Sequence, residues 1–430
     1  MPSVVAYGND SNTSFINLGK SFLFRRLSLL FSNQILPFPT ISKALGECPL
    51  LLLLVEFSDV SHYPEHDIEY FEQLLFGDTP SVSDYYQEVS YEKFTFTKAG
   101  ILGWYSSHHT LKERSRDGIT REAFRKAARD KSFPFASYDQ NGDGILTANE
   151  LAILVCTSGV SSEKPQGAYH NWRLWGTLGV KTWDGMILSG EHSVLQEWQT
   201  WMVFAHELGH SLQLPDLYDY TRQSQGLGVY SLMGNGNLDG INGHHFTAWE
   251  KIKLGWIEPT IVTEDGWHVV HDSETYPEAF ILQDPSHSSD EYFLVENRFR
   301  GTSYDNGMFP LPDEGIAIYH IDESIPCPLR PRTWFPRVND VECHKMIDIE
   351  CADSFSSHFK DADDLDANKN QGDEFDFWDN STYGFHSNSI PCNSRWYDGG
   401  ENNIGIYVYS APARNMTVYF SVNGTVPGGL

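Results

Sequence analysis

The amino-acid sequence predicts an α+β protein, in which a twisted sheet with one active-site helix is followed by a β-rich, sandwich-like region. The apolar run at 50–55 is typical of a buried strand, and residues 194–205 carry apolar side chains at helical spacing without Pro or Gly. After Glu258 the chain contains short apolar runs separated by Gly, Pro, Asp and Asn. These predicted strands include 266–270, 292–296 and 416–420.

The predicted helix leads into an H-E-x-x-H motif formed by His206, Glu207 and His210. Residues i and i+4 of a helix lie on one face, so both imidazoles can bind one metal ion while Glu207 lies beside it as a base. Pro215 is expected to end this helix. The motif therefore predicts a catalytic zinc site with two histidine ligands and Glu207 as the general base.

The third zinc ligand has two candidates. A catalytic zinc site keeps three protein ligands and leaves one position open. Asp216 lies six residues after His210, at the spacing where the extended motif H-E-x-x-H-x-x-G-x-x-H carries its last ligand. Glu250, in a helix predicted at 248–256, is the rival, because a glutamate from a second helix is the other familiar third ligand. We predict Asp216 and keep Glu250 as the alternative.

A turn that contains Met233 follows at 228–234. Its form is that of a Met-turn, whose methionine packs as an apolar floor beneath the metal-binding histidines. A core methionine in an ordinary loop is the alternative. Asp219 is predicted to hold this part of the chain or to accept a hydrogen bond from a ligand histidine, and a solvated turn residue is the other interpretation.

A second metal-binding pattern, of the EF-hand type, lies at 139–150. The expected calcium ligands are Asp139, Asn141, Asp143, the carbonyl of Ile145, and Glu150. Gly144 supplies the sharp turn. A helix is predicted before the loop at 120–128 and a buried strand after it at 151–156. Because a calcium sensor needs two helices that open, this order predicts a structural calcium site. An Asp-rich turn without metal is the alternative.

These motifs are part of a longer resemblance. From residue 50 to residue 422 the chain resembles the immune inhibitor A family of secreted zinc metallopeptidases, best known from bacteria. The matching segments are 52–59, 83–91, 204–219, the Met-turn, 248–256 and 316–323. The resemblance implies a metzincin-like catalytic domain with His206 and His210 as zinc ligands, Glu207 as the base and a β-rich region behind it.

The chain departs from that pattern at two positions. Gln213 stands where the family motif has glycine, so this residue either takes a left-handed conformation at a cost of about 1 kcal/mol or changes the turn. Asn235 stands where metzincins such as astacins carry a tyrosine that stabilises the transition state. By nearness in sequence, the candidates for that role are Tyr218, Tyr230 and His244.

The predicted function is hydrolysis of peptide bonds in protein or peptide substrates by a zinc-activated water, with Glu207 as the general base. One alternative is a catalytically inactive, calcium-stabilised binding relative, for which Gln213 is the argument. A zinc hydrolase of other amides is a further one. We predict an N-terminal extension at 1–45, which a propeptide remnant would explain, a catalytic domain at 46–258, and a β-rich region at 259–430 packed on it.

Composition narrows the possible partners. The chain has 30 Lys and Arg against 58 Asp and Glu, a formal net charge of −28, which disfavours nucleic acids and anionic membranes. Its apolar runs are too short to span a bilayer. The acidic stretches at 361–366 and 373–376 favour a solvated surface over another calcium site. We expect a monomer.

Cysteines and sequons bear on the cellular compartment. Cys156 is expected to lie buried in a strand, whereas four cysteines in a loop-rich segment suit disulfides of undetermined pairing. These four are Cys327, Cys343, Cys351 and Cys392. N-glycosylation sequons lie at Asn12, Asn380, Asn415 and Asn423. Residues 1–12 lack signal-peptide features, so the expectation of an extracellular protein depends on the cysteines, the calcium loop and the family resemblance.

Overall fold

The computed structural model describes most of the chain from Lys43 onward. The described residues are 43–111, 116–159, 169–171, 180–189, 191–235, 244–302, 304–307, 310–325, 338–341, 344–353, 365–366, 370–382, 384–390 and 392–428. The extension predicted at 1–45 therefore lies almost entirely outside the described residues.

The first part of the chain forms a mainly parallel sheet flanked by helices. Its elements are β1 (Gly46–Glu56), α1 (Ile68–Phe76), α2 (Val82–Val89), β2 (Phe94–Ser106), α3 (Arg116–Ala127), β3 (Ile145–Leu146), β4 (Ala152–Thr157), β5 (Tyr169–Asn171), β6 (Ile187–Leu188), β7 (His192–Gln196), α4 (Trp201–Ser211) and α5 (Ala248–Lys253). Among the described residues the sheet order is β2-β1-β4-β7-β5. Only β5 runs antiparallel to its neighbour, β7. β3 and β6 form a separate parallel pair.

Side chains of β1 are buried on both faces of this sheet. Residues 50–55 are all apolar and fully buried. Side chains at even positions pack with α1, α2 and α4, whereas those at odd positions pack with α3. Because successive side chains of a strand point to opposite faces, an unbroken apolar run is what two covered faces require. The prediction of a core strand at 50–55 is confirmed.

The helix that carries the H-E-x-x-H motif begins later than predicted. Residues 194–196 belong to β7, and α4 spans only Trp201–Ser211. All residues of β7 are buried between β4 and β5, and Val194 pairs with Val155 of β4. A short apolar run is compatible with either a helix or a strand. Residues 194–196 form a strand because they pair with strands that are distant in the sequence.

The second part of the chain forms two further sheets. Its strands are β8 (Thr260–Ile261), β9 (Gly266–His271), β10 (Phe280–Leu282), β11 (Glu291–Arg298), β12 (Gly315–Asp322), β13 (Ile347–Ile349), β14 (Phe385–His386), β15 (Gly405–Val408) and β16 (Asn415–Ser421). Among the described residues the orders are β13-β12-β11-β10-β8 and β14-β15-β16-β9. The three strands predicted in this region are confirmed, and the fold is of the α+β class.

One C-terminal sheet contributes to two cores. Phe293 and Val295 of β11 pack in a core shared with β9, β15 and β16 of the other sheet. Tyr292 and Leu294, on the opposite face, belong to the core that contains Leu208 of α4. The predicted catalytic and C-terminal regions therefore share one continuous apolar core. None of the described helices has both the length and the apolar character needed to cross a membrane.

His320 of β12 is a buried cation within this sheet. Its Nε2 lies 3.0 Å from Oε1 of Glu291 and its Nδ1 lies 3.4 Å from Oε1 of Glu350, while its ring stacks on Tyr397. Burial by itself would lower the pKa of His320, but hydrogen bonds and the charges of the two carboxylates raise it to about 9. His320 is therefore protonated at neutral pH and ties β12 to its neighbours.

We predict that His320→Gln lowers the free energy of unfolding by about 3 kcal/mol at neutral pH, because two partly buried carboxylates lose their cation. Since the folded pKa is raised from 6.5 to about 9, the histidine's contribution is complete below pH 6.5 and is lost as the pH rises through 9. Urea unfolding between about pH 6 and about pH 10 measures the difference from wild type.

The matched control for this experiment is His108→Gln. The side chain of His108 is 77% exposed beside Glu122, so its loss should change stability by less than about 1 kcal/mol. A stability difference for His320→Gln that stays constant through pH 9 would contradict the assigned charge.

Candidate metal centre

α4 presents both histidines of the motif on one buried face. His206, Glu207 and His210 are each at most 5% exposed, and the two imidazole centroids are 4.8 Å apart. The helix is fixed from outside by hydroxyl groups. Ser193 donates to the carbonyl of Glu207 at 2.9 Å, and Tyr86 donates to the carbonyl of Ala205 at 2.8 Å. The i, i+4 spacing therefore produces the shared face that the sequence predicts.

Gln213 ends α4 with a left-handed residue. Its φ is +69°, its N–H donates to the carbonyl of His210 at 2.8 Å, and Leu214 donates to the carbonyl of Gly209 at 3.1 Å. This is the hydrogen-bond pattern of a Schellman motif, which usually carries glycine at this position. Gln213 thus takes the left-handed conformation that favours glycine, and the helix ends at Ser211, before Pro215 is reached.

Both ligand candidates on α4 have a defined tautomer. The Nδ1 atoms of His206 and His210 each lie 2.8 Å from a backbone carbonyl, of Leu232 and Leu214 respectively. A carbonyl only accepts, so each Nδ1 donates its proton there, and each Nε2 is the ring nitrogen that faces Asp216. The sequence identifies the histidines, whereas these carbonyls determine which nitrogen atoms face the site.

Asp216 completes a group of three candidate ligands. Its Oδ1 lies 3.1 Å from Nε2 of His206 and 3.2 Å from Nε2 of His210, and the residue is 2% exposed. Burial by itself would raise the pKa of Asp216, but the two imidazoles hold it well below its usual range. The ligand atoms of His206, His210 and Asp216 all lie within 4.8 Å of one another. Two imidazoles and one carboxylate therefore fit a metal ion here.

Glu207 points an uncompensated oxygen atom into this region. Its Oε2 is buried and has no hydrogen-bond partner among the described residues. Burial raises the pKa of Glu207 to about 8, His206 opposes this increase, and the charge of Asp216 adds to it. Buried carboxylates with structural roles normally have their hydrogen bonds satisfied, so this arrangement favours a role in chemistry.

Met233 packs directly against the histidine-bearing helix. A Cβ atom added to Gly209 would lie 2.6 Å from Sδ of Met233, so a larger residue here would displace the methionine. Met233 is fully buried, and its carbonyl accepts a hydrogen bond from the N–H of Leu217 at 2.8 Å. Met233 therefore contacts α4 next to His210, and its role in a Met-turn stays a prediction.

Glu250, the rival ligand, has other partners. Its two carboxylate oxygens each lie 2.9 Å from Oγ of Ser231, and Oε2 accepts from the N–H of Thr247 at 2.6 Å. Thr247 and Glu250 form the capping box of α5. Glu250 therefore joins α5 to the start of the Met-turn, and its oxygen atoms are occupied there.

Of the three candidates for transition-state stabilisation, only Tyr218 lies beside the cluster. Its hydroxyl is close enough to interact with Asp216 and Glu207. The hydroxyl of Tyr230 instead donates to Asp376, and His244 faces Asp305 with Nδ1 3.3 Å from Oδ1. Nearness in sequence selected Tyr230 and His244 wrongly, because the chain turns them toward the C-terminal region.

Sequence reasoning missed Tyr220, whose hydroxyl donates to Oδ2 of Asp216. An aromatic residue four positions after a proposed ligand was the available signal, but its side-chain direction depends on the turn. That turn is closed by Asp219, whose carboxylate accepts from the N–H groups of Thr221, Gln223 and Ser224 at 2.6–2.9 Å. Asp219 thus holds the loop and does not contact a ligand histidine.

A cavity of about 580 Å³ opens beside these tyrosines. Its lining residues are Tyr218, Asp219, Tyr220, Arg222, Ser224, Gln225, Asn235 and Gln371. The Asn235 amide donates to Oε1 of Gln225 at 2.8 Å and lies in this wall. The cavity shares Tyr218 and Tyr220 with the surroundings of Asp216, but His206, Glu207, His210 and Asp216 are not among its lining residues.

In the loop at 139–150, aspartate carboxylates accept hydrogen bonds from backbone N–H groups of the same loop. Asp139 accepts from the N–H groups of Gly142 and Gly144 at 2.8 and 3.0 Å, and Asp143 accepts from Ile145 at 2.7 Å. Three groups of His, Cys, Asp or Glu among the described residues bring ligand atoms within 4.8 Å of one another, and this loop is not one of them. The left-handed Gly144 and the predicted flanking elements, α3 and β4, are present. Calcium binding by Asp139, Asn141, Asp143, Ile145 and Glu150 stays a prediction.

The remaining predictions have mixed outcomes. Cys156 is buried in β4 as expected, whereas Cys327 and Cys343 lie outside the described residues, so the disulfides stay a prediction.

Of the acidic stretches predicted to form a solvated surface, residues 361–364 lie outside the described residues. Asp376 is fully buried and accepts from Tyr230, which contradicts a solvated surface at that position. The sequon residues Asn380, Asn415 and Asn423 are exposed.

Comparison with known proteins supports a metalloprotease relationship. Immune inhibitor A of Bacillus thuringiensis subsp. alesti is 26% identical over 251 residues, which cover 44% of this chain and 36% of that protein. Pre-pro-metalloprotease PrtV of Vibrio cholerae serotype O1 is 23% identical over 266 residues, which cover 47% of this chain and 29% of that protein. The chain thus spans about a third of the length of the curated relatives it matches. No protein-family model matches the chain.

We predict that Asp216→Ala weakens zinc binding more than about 100-fold, whereas Glu250→Ala retains about one zinc per chain. Glu250→Ala should instead lower the free energy of unfolding by about 2 kcal/mol, because α5 loses its cap and Ser231 loses its partner. Chelator competition gives the zinc affinity and urea unfolding gives the stability. Loss of zinc from Glu250→Ala with retention in Asp216→Ala would reverse the assignment.

Proposed function

We propose that this chain is a zinc-dependent endopeptidase. The observation that carries the proposal is the convergence of His206 Nε2, His210 Nε2 and Asp216 Oδ1, with the unpaired Oε2 of Glu207 in the same buried region. Two imidazoles and one carboxylate are the ligand set of a catalytic zinc site that keeps a position open. The similarity to metalloproteases independently favours this chemistry over other uses of such a cluster.

The residues of the centre have separate tasks in this proposal. When bound, zinc polarises the scissile carbonyl and acidifies the attacking water. Glu207 accepts the proton of that water at a carboxylate oxygen and delivers it to the leaving amine. Met233, whose Sδ packs against Gly209 of α4, would form the apolar floor of the site. We propose Tyr218, whose hydroxyl interacts with Asp216 and Glu207, as the donor to the oxygen that becomes negatively charged.

The edge of the first sheet offers a binding mode for the substrate. β5 is the last strand in the sheet order and packs near α4. Within the described residues, β5 pairs with β7 on one side only. An extended peptide can add to such an edge through main-chain hydrogen bonds, which are independent of side-chain identity. We propose this mode for a peptide substrate.

Gln213 is the argument for an inactive binding relative, and its conformation does not favour that alternative. That residue takes the left-handed φ that glycine would take, and Asp216 remains next to both histidines. Retention of Glu207 in the buried region also favours activity. We further propose secretion and a structural calcium ion at 139–150, consistent with the expectation from sequence.

The proposal predicts that Glu207→Gln reduces the cleavage of unfolded casein by a factor of about 10² to 10⁴ while about one zinc per chain remains bound. The amide keeps the size of the side chain but removes its capacity to take a proton. Cleavage rate and zinc content are measured on the same preparations of the full chain.

The control is Glu65→Gln, the same chemical change at an exposed position, which should retain the wild-type rate. Wild-type protein that binds zinc through Asp216 but cleaves neither casein nor a peptide library would refute the peptidase and leave a zinc-binding protein. An unchanged rate in Glu207→Gln would refute the role of Glu207.

For the calcium loop, we expect saturating calcium to raise the melting temperature of the wild type by about 5 °C, and this shift to disappear in Glu150→Gln. The comparison variant is Asp373→Asn, which alters a separate acidic group formed with Asp353 and Asp376. A calcium shift that survives in Glu150→Gln and is lost in Asp373→Asn would move the site from 139–150 to the C-terminal region.

A further inference from the structure

The two carboxylate oxygens of Asp216 have different partners. Oδ1 faces the Nε2 atoms of His206 and His210, whereas Oδ2 accepts a hydrogen bond from the hydroxyl of Tyr220. Asp216 is 2% exposed, so the protein determines the surroundings of both oxygens. A hydrogen bond from a phenol to an ionised carboxylate is charge-assisted and therefore stronger than one between neutral groups.

Tyr220 is itself held in place at its backbone and its ring. Its N–H donates to Oδ1 of Asp340 at 2.9 Å, and its ring packs on Tyr218 with centroids 4.8 Å apart. The adjacent Asn339 donates to the carbonyl of Leu217 at 3.0 Å. Residues 339–340 thus anchor the chain at two points, one directly after Asp216 and one at Tyr220.

This arrangement affects how Asp216 can bind a metal ion. An aspartate binds a metal through one oxygen or through both, and a second bound oxygen takes up a coordination position. In a catalytic zinc site, that position is needed for water and substrate. A donor at Oδ2 uses one of its lone pairs and lowers its electron density, which favours metal binding through Oδ1. Hydrogen bonds to ligand groups commonly change metal affinity by about 10-fold to about 100-fold.

We propose that Tyr220 is a positioning residue that restricts Asp216 to binding the metal through Oδ1 alone. The proposal rests on the proposed metal centre and adds a role that is separate from proton transfer by Glu207. Asp340 and Asn339 extend this role, because they set the position of Tyr220 from the C-terminal region of the chain. The tyrosine acts through Asp216 and does not need to contact the substrate.

The test is Tyr220→Phe in the full chain, which removes only the hydroxyl group. Zinc affinity, measured by competition with a chromophoric chelator, is expected to fall about 10-fold to about 100-fold. In the cobalt-substituted protein, the visible absorption bands are expected to weaken and shift, because a second oxygen of Asp216 raises the coordination number. Tyr276→Phe is the matched control, since Tyr276 is 48% exposed and packs on His271, and it should change neither quantity.

A double-mutant cycle with Asp216→Ala separates this role from a general loss of structure. If Tyr220 acts through Asp216, Tyr220→Phe has no further effect on zinc affinity once Asp216 is alanine. An effect of the same size in both backgrounds would overturn the proposal. An unchanged zinc affinity and cobalt spectrum in the single Tyr220→Phe variant would also overturn it.

These outcomes differ from a failure of the proposed function. If wild-type protein binds neither zinc nor cobalt, or binds them independently of Asp216, the metal centre is refuted and the role of Tyr220 is refuted with it. If binding depends on Asp216 but not on the Tyr220 hydroxyl, only the positioning role is wrong. A Tyr220→Phe protein that fails to fold is replaced by Asp340→Ala, which loosens the anchor of Tyr220 and should weaken zinc binding in the same direction.

Discussion

Two hydrogen bonds from imidazole to backbone determine the character of the candidate metal centre. The Nδ1 atoms of His206 and His210 bond to the carbonyls of Leu232 and Leu214, and this leaves both Nε2 atoms directed at Asp216. One carbonyl comes from the Met-turn and the other from the end of α4. The left-handed conformation of Gln213 produces that end, so the geometry of the ligands depends on a single backbone turn as much as on the motif.

The C-terminal region supports the same centre from outside. Arg298 is fully buried and donates to the carbonyl of Tyr230 at 3.0 Å and to Asp305 at 2.7 Å. Burial would lower the pKa of Arg298, but Asp305 and the nearby Glu296 hold it well above its usual value. A buried ion pair adds little net stability but strongly penalises arrangements in which it is broken. Arg298 therefore fixes the start of the Met-turn against the second sheet.

The sequence predicted those features that depend on residues close together in the chain. The i, i+4 spacing of His206 and His210 puts them on one face, and the apolar run at 50–55 has the period of a strand buried on both sides. The sequence predictions failed where contacts with distant segments of the chain determine the local structure. Residues 194–196 pair with β4, and Tyr230 is drawn away from the cluster by Asp376. Neither partner can be recognised from the neighbouring sequence.

By itself the sequence identified His206, Glu207 and His210 as candidates for a metal centre, because two histidines one helical turn apart and an adjacent glutamate have few other uses. It also predicted the α+β class, since the spacing of apolar residues along the chain indicates strands and helices. The tertiary structure decided between Asp216 and Glu250 as the neighbour of the histidines, and it revealed Tyr220. These outcomes depend on side-chain directions set by turns and by contacts across more than a hundred residues, such as that between Tyr220 and Asp340.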